Sequence, residues 1–75
     1  MPRADITLTT LGKTLRATRE QRSLTVEMVA AKSGVSAAKL AAYEAGDEEV
    51  TLLEVCALAK AMGTTAEAIF ANAGL

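Results

Sequence analysis

The chain has 75 residues and a mass of 7.8 kDa; it is 51% hydrophobic and 23% charged, with Tyr43 and Phe70 its only aromatic residues and sixteen alanines. A chain of this size supports one small core, and its apolar content excludes disorder. The lone Cys56 excludes a disulfide framework, and the lack of histidine leaves no ordinary Cys/His zinc site. The formal charge is −1, yet it is unevenly spread: residues 1–43 hold seven basic groups against three acids, and residues 44–75 hold Lys60 against six acids. Such a split lets a basic face coexist with an acidic total. No apolar run approaches the roughly eighteen residues that a membrane crossing requires, and no signal-peptide core opens the chain, so a cytoplasmic, reducing setting is expected.

Taken in order, residues 1–7 read as a short N-terminal arm and residues 8–75 as a single all-α domain of five helices. Leu8, Leu11, Leu15 and the methyl of Thr18 share one stripe, which predicts a first helix over about 8–22. Thr25 is a good N-cap for a second helix ending near Lys32, with Val29 and Ala30 on its buried face and Gly34 as its stop. Ser36 caps a third helix over 37–45 that turns Leu40 and Tyr43 inward and ends at Gly46. After the acidic loop Asp47-Glu48-Glu49, Thr51 and Glu54 form a capping box for a fourth helix over 51–62, whose apolar stripe is Leu52, Val55, Leu58, Ala59 and Met62. Gly63 stops it, and Thr65 caps a short fifth helix anchored by Ile69 and Phe70.

The second helix, the Gly34 turn and the third helix have the spacing of a helix-turn-helix. The wider run comprises Leu11-Gly12, Leu15-Arg16, Arg19, Leu24-Thr25, Val29-Ala30, Gly34-Val35-Ser36, Leu40, Glu44-Ala45-Gly46 and Leu52 to Gly63. In shared register over residues 8–70, it resembles the Cro/C1-type, lambda-repressor-like (XRE) family. The resemblance implies a compact five-helix DNA-binding fold. It also implies that Arg19 and Glu44 form a structural ion pair joining the first helix to the end of the third, and that double-stranded operator DNA is read by a homodimer with the third helix in the major groove.

On this pattern the groove-facing positions are Ser36, Ala37, Ala38, Lys39, Ala41 and Ala42. Thr25 and Val26 stand at the phosphate-facing start of the second helix, and Lys13 and Arg16 add a diffuse basic field. The chain departs from its relatives here. Four of the six groove positions are alanine, which offers only a methyl to thymine, and Lys39 is the single long donor. Val26 stands where the family has glutamine, and the loop after Gly46 is acidic where relatives are often basic. Two functions stay open on these residues: a repressor-like transcription regulator, and a helix-turn-helix reused for protein contact through its smooth third helix. An antitoxin-type regulator is a variant of the first. No nucleophile sits beside a base and no glycine-rich phosphate loop is present, so neither catalysis nor a cofactor is expected, and Cys56 reads as a packed thiol.

The apolar C-terminal stretch predicts assembly. Leu53, Leu58, Ala66, Ile69, Phe70, Ala73 and Leu75 form the expected dimer surface on the fourth and fifth helices, because an apolar patch of that size is unusual on a monomer.

Overall fold

The computed structural model describes the backbone of residues 3–74 and the side chains of residues 10–74. Five helices follow in order: α1 Arg3–Gln21, α2 Val26–Ser33, α3 Ala37–Ala45, α4 Leu52–Ala61 and α5 Ala66–Asn72. The first begins five residues before its expected start. Arg3 to Thr7 contains neither glycine nor proline, and extending an existing helix adds one backbone hydrogen bond for each residue it orders. The other helices start where their caps stand. The hydroxyls of Thr25, Ser36, Thr51 and Thr65 each accept from the backbone amide three residues on, and the capping box of Thr51 and Glu54 is complete.

Gly34 and Gly46 end α2 and α3 in the left-handed conformation, with φ of 80° and 79°. There a side chain would crowd its own backbone. The end of α1 achieves the same reversal without glycine: Ser23 takes φ of 56°, and the Leu24 amide reaches back to the Arg19 carbonyl at 3.1 Å.

The helices enclose one core. Leu15, Val29, Leu58 and Ile69 are fully buried, and Leu40, Tyr43, Val55 and Ala59 are nearly so. Helix α3 packs between α1 and α2, while α4 and α5 close the other side against α2 and α1. Among the described side chains, which do not include Leu8, the expected stripes hold with local exceptions. Ala30 is half-buried, and Leu52 is 65% exposed. Cys56, expected inside, is exposed on α4. The apolar sequence around it misleads because Val55 and Leu58 already occupy the inward positions of that helical turn.

Two contacts tie α1 to α3. Gly12 is buried, and a Cβ built there would collide with the Tyr43 carbonyl oxygen while meeting that carbonyl's carbon at 3.2 Å and the Glu44 carbonyl oxygen at 3.4 Å. Only glycine lets the two backbones approach so closely. Two helical turns further along α1, Arg19 grips Glu44 with two parallel bonds: Nε donates to Oε2 at 2.8 Å and Nη2 to Oε1 at 2.9 Å. The remaining nitrogen, Nη1, donates to the Leu24 carbonyl at 2.9 Å, pinning the turn between α1 and α2. Both side chains are largely buried, at 13% and 8% exposure. Chiefly through the hydrogen bonds it donates to Glu44, the guanidinium's pKa is raised above its ordinary value. The ion pair implied by the family resemblance is present.

Two substitutions test these ties. Gly12→Ala should cost about 2–3 kcal/mol, since the collision is with backbone and can be relieved only by parting the helices; an unchanged thermal midpoint would show that α1 and α3 separate freely. Arg19→Ala should cost about 3 kcal/mol by stranding a buried carboxylate, which lowers the midpoint by roughly 12–24 °C in a domain of this size. Arg19→Lys should recover little of that loss, because an ammonium cannot make the two-pronged contact.

Candidate nucleic-acid interface

Helix α3 presents its outer face between two fixed ends. At its start Ser36 Oγ accepts from the Lys39 amide at 3.1 Å. Its far end is held by the left-handed Gly46 and by Glu44 in the grip of Arg19. Of the six groove-facing candidates, Ser36, Ala38, Lys39 and Ala41 are exposed, whereas Ala37 and Ala42 are half-buried and turned toward the domain. Those four give the free face two methyl groups, one hydroxyl and one ammonium, and exposed Ala45 adds a third methyl at its end. Its hydrogen-bonding capacity is low, and its shape is smooth.

The start of α2 differs from expectation at one residue. Thr25 is exposed, its Oγ1 accepting from the Met28 amide at 3.1 Å. Val26 is half-buried and packs against the core, so it gives a ligand neither a polar group nor a free surface. Its branched apolar side chain gains more from that packing than from water.

The basic residues of α1 do not all stand free. Arg16 is exposed but pairs with Glu20 one turn on, Nε to Oε2 at 3.2 Å. Lys13 is exposed and lines an open groove that it shares with Thr14, Thr18, Gln21 and Asn72, between α1 and α5. A second groove, near the ends of α2 and α4, brings Lys32 and Lys60 together beside Ser33 and Gly63.

Around Lys39 lies a constellation that spacing alone does not disclose. Its Nζ stands 5.9 Å from the centre of the Tyr43 ring and 3.8 Å from Glu48 Oε1 in the acidic loop. The Tyr43 part is legible in principle, since positions four apart share a helix face. The Glu48 part is not, because the loop reverses after Gly46 and returns along α3. Beneath the ammonium the Tyr43 hydroxyl donates to Glu54 Oε1, which also accepts from Thr51 Oγ1 at 3.1 Å. Burial, helped by that bond to a carboxylate, pushes the Tyr43 phenol up to about 12. The same bond is the main reason Glu54 is held below its ordinary value. Glu54 thus caps α4 and latches α3 to it with one side chain.

The expected dimer residues fall into two groups. Leu58 and Ile69 are fully buried and Ala73 is 8% exposed, all inside the chain's own core, so they have no surface left for a second copy. A domain this small needs its longest apolar side chains to close its single core. Leu53, at 82% exposure, is free, while Ala66 and Phe70 are half-buried; Leu75 lies outside the described residues. Cys56 and Leu52 share the exposed end of α4 with Leu53. Among the described residues no group of acidic or cysteine side chains is placed to hold a metal ion, and no helix is long and apolar enough to cross a membrane.

Comparison with known proteins places this arrangement. A family model described as a helix-turn-helix domain matches residues 10–69. The chain superposes on the restriction-modification controller protein C.AhdI from Aeromonas hydrophila with a TM-score of 0.81 at 28% identity, covering 84% of this chain and 96% of that one. For the clp gene regulator ClgR from C. glutamicum the TM-score is 0.86 at 26% identity, over 91% and 88% of the two chains. An HTH_3 family transcriptional regulator from Vibrio cholerae gives 0.83 at 28% identity, over 91% of this chain and 39% of that longer one. Among curated proteins no sequence matches. Matched over most of its length, the chain belongs to the helix-turn-helix domain family and has the lambda-repressor-like fold of DNA-binding transcription regulators.

Proposed function

We propose that the protein is a repressor-like transcription regulator that binds double-stranded operator DNA as a homodimer. The observation that carries this reading is the posture of α3. Its outer face is exposed, while Ser36, Gly46, the Arg19–Glu44 pair and the close approach at Gly12 hold the rest of the helix rigidly. A helix held this way can enter a major groove without reorganising. The likeness to a restriction-modification controller and to a clp gene regulator supports a regulatory role. Lys39 and Ser36 then meet base edges or phosphate, and the open amides at the start of α2 meet phosphate beside Thr25.

With so few donors on α3, charge dominates the affinity and local DNA shape supplies much of the discrimination. A gel shift against the DNA upstream of the gene, run at two salt concentrations, tests this. The complex should weaken steeply with salt. Lys39→Ala should weaken binding to every sequence by a similar factor and make the salt slope shallower by up to about one unit. Loss of discrimination at a single base pair would instead make Lys39 a base reader.

A second reading, protein docking through α3, is favoured by one feature: the only long basic side chain on that face already faces Glu48. Absence of any shift at low salt would transfer the assignment to it.

The proposed dimer uses the apolar surface at the start of α4, Leu52 and Leu53, with half-buried Phe70 on α5. A two-fold pair would set its third helices about 34 Å apart, one turn of DNA. Sedimentation at micromolar concentration should give twice the 7.8 kDa chain mass. Leu53→Glu should return a monomer that remains folded, because Leu53 contributes little to its own core. A wild-type species that remains monomeric on concentration overturns the dimer.

A further inference from the structure

Helix α3 carries its own counter-ion. Lys39 is the single cation on the outer face, and its Nζ lies 3.8 Å from Glu48 Oε1 with both side chains about half exposed, at 53% and 52%. The ammonium is also set over the Tyr43 ring, 5.9 Å from its centre. The ring is itself fixed, being 1% exposed and bonded through its hydroxyl to Glu54. Asp47 and Glu49 flank Glu48, both exposed, so the loop brings a concentrated negative charge to the edge of the face that would meet DNA.

We infer that Glu48 is an autoinhibitory residue: its carboxylate pairs electrostatically with the ammonium of Lys39 in the free protein, and a nucleic-acid phosphate competes with it for that charge. This rests on the DNA reading above and adds a regulatory element to it. The physical case is direct. A carboxylate and a phosphate oxygen compete for the same donors, and the carboxylate is tethered to the same domain by a turn fixed at Gly46. The Tyr43 ring beneath the ammonium restricts its excursions and so limits what the lysine forfeits by staying paired. Because the pair is partly solvated, its effect is modest and can be removed by a single neutral substitution. Anything that neutralises or sequesters Glu48, including a cationic partner on the loop, would release Lys39 and tighten binding.

The test uses the whole chain and a random-sequence DNA duplex at low salt. Glu48→Gln should bind roughly two- to fivefold more tightly than wild type, the scale of an exposed pair. In a Lys39→Ala background the same substitution should change binding much less. Glu49→Gln is the control for the general field of the loop and should give a smaller gain than Glu48→Gln. Equal affinity of wild type and Glu48→Gln overturns the inference and leaves the DNA reading standing. So does a gain that is undiminished without Lys39, or one matched by Glu49→Gln. If neither wild type nor Glu48→Gln shifts any duplex, the DNA reading falls and this inference with it.

Discussion

The depth at which α3 sits against α1 is the constraint on which the rest of the molecule depends. Backbone meets backbone at Gly12 and Tyr43, leaving no room for even a methyl group, and the Arg19–Glu44 fork locks the rotation about that point. A single close approach would act as a pivot. A pivot and a two-pronged ion pair together define a plane. The third bond of Arg19, to the Leu24 carbonyl, extends this plane to the turn that launches α2. The two helices of the helix-turn-helix are thus positioned from α1 as much as from each other. A buried ion pair adds little net stability, because desolvation offsets most of its attraction. Its contribution here is geometric: a lysine or a glutamine could not satisfy the same three acceptors in one plane.

A second latch holds α3 from the opposite side. Tyr43 is the largest buried side chain, and its one polar atom would be costly to bury alone. Glu54 resolves this by reaching from the start of α4 while also completing that helix's capping box. The same tyrosine forms the floor under Lys39. Core packing, helix capping and the electrostatics of the outer face therefore share residues, so a change at Tyr43 would be felt in all three.

The outer face of α3 is chemically sparse and electrostatically guarded. Exposed Ala38 and Ala41 offer shape and methyl contact but no hydrogen bonds. What charge the face has is balanced by the loop that follows it. Together with the Arg16–Glu20 pair on α1, the excess of basic residues in the first half of the chain shrinks at the surface to a weaker field than counting suggests.

Local signals in the chain set its architecture: where α2 to α5 begin, from Thr25, Ser36, Thr51 and Thr65; where α2 and α3 stop, from Gly34 and Gly46; and, Leu52 and Cys56 apart, which residues face inward, from the period of the apolar stripes. These signals lie within one or two turns of chain, where hydrogen-bond geometry and backbone sterics decide the outcome. The Arg19–Glu44 pair was legible only by resemblance, since 25 residues separate its partners. Tertiary structure alone decided which apolar residues were left over. Leu52 stands on the apolar stripe of α4 in sequence and Leu53 does not, yet both are exposed, while Leu58, Ile69 and Ala73 fill the core. It also decided the close approach at Gly12 and the return of Glu48 onto Lys39. Each of these depends on the angle between elements, and that angle is set by the competition of all side chains for one small interior, a quantity no local window contains.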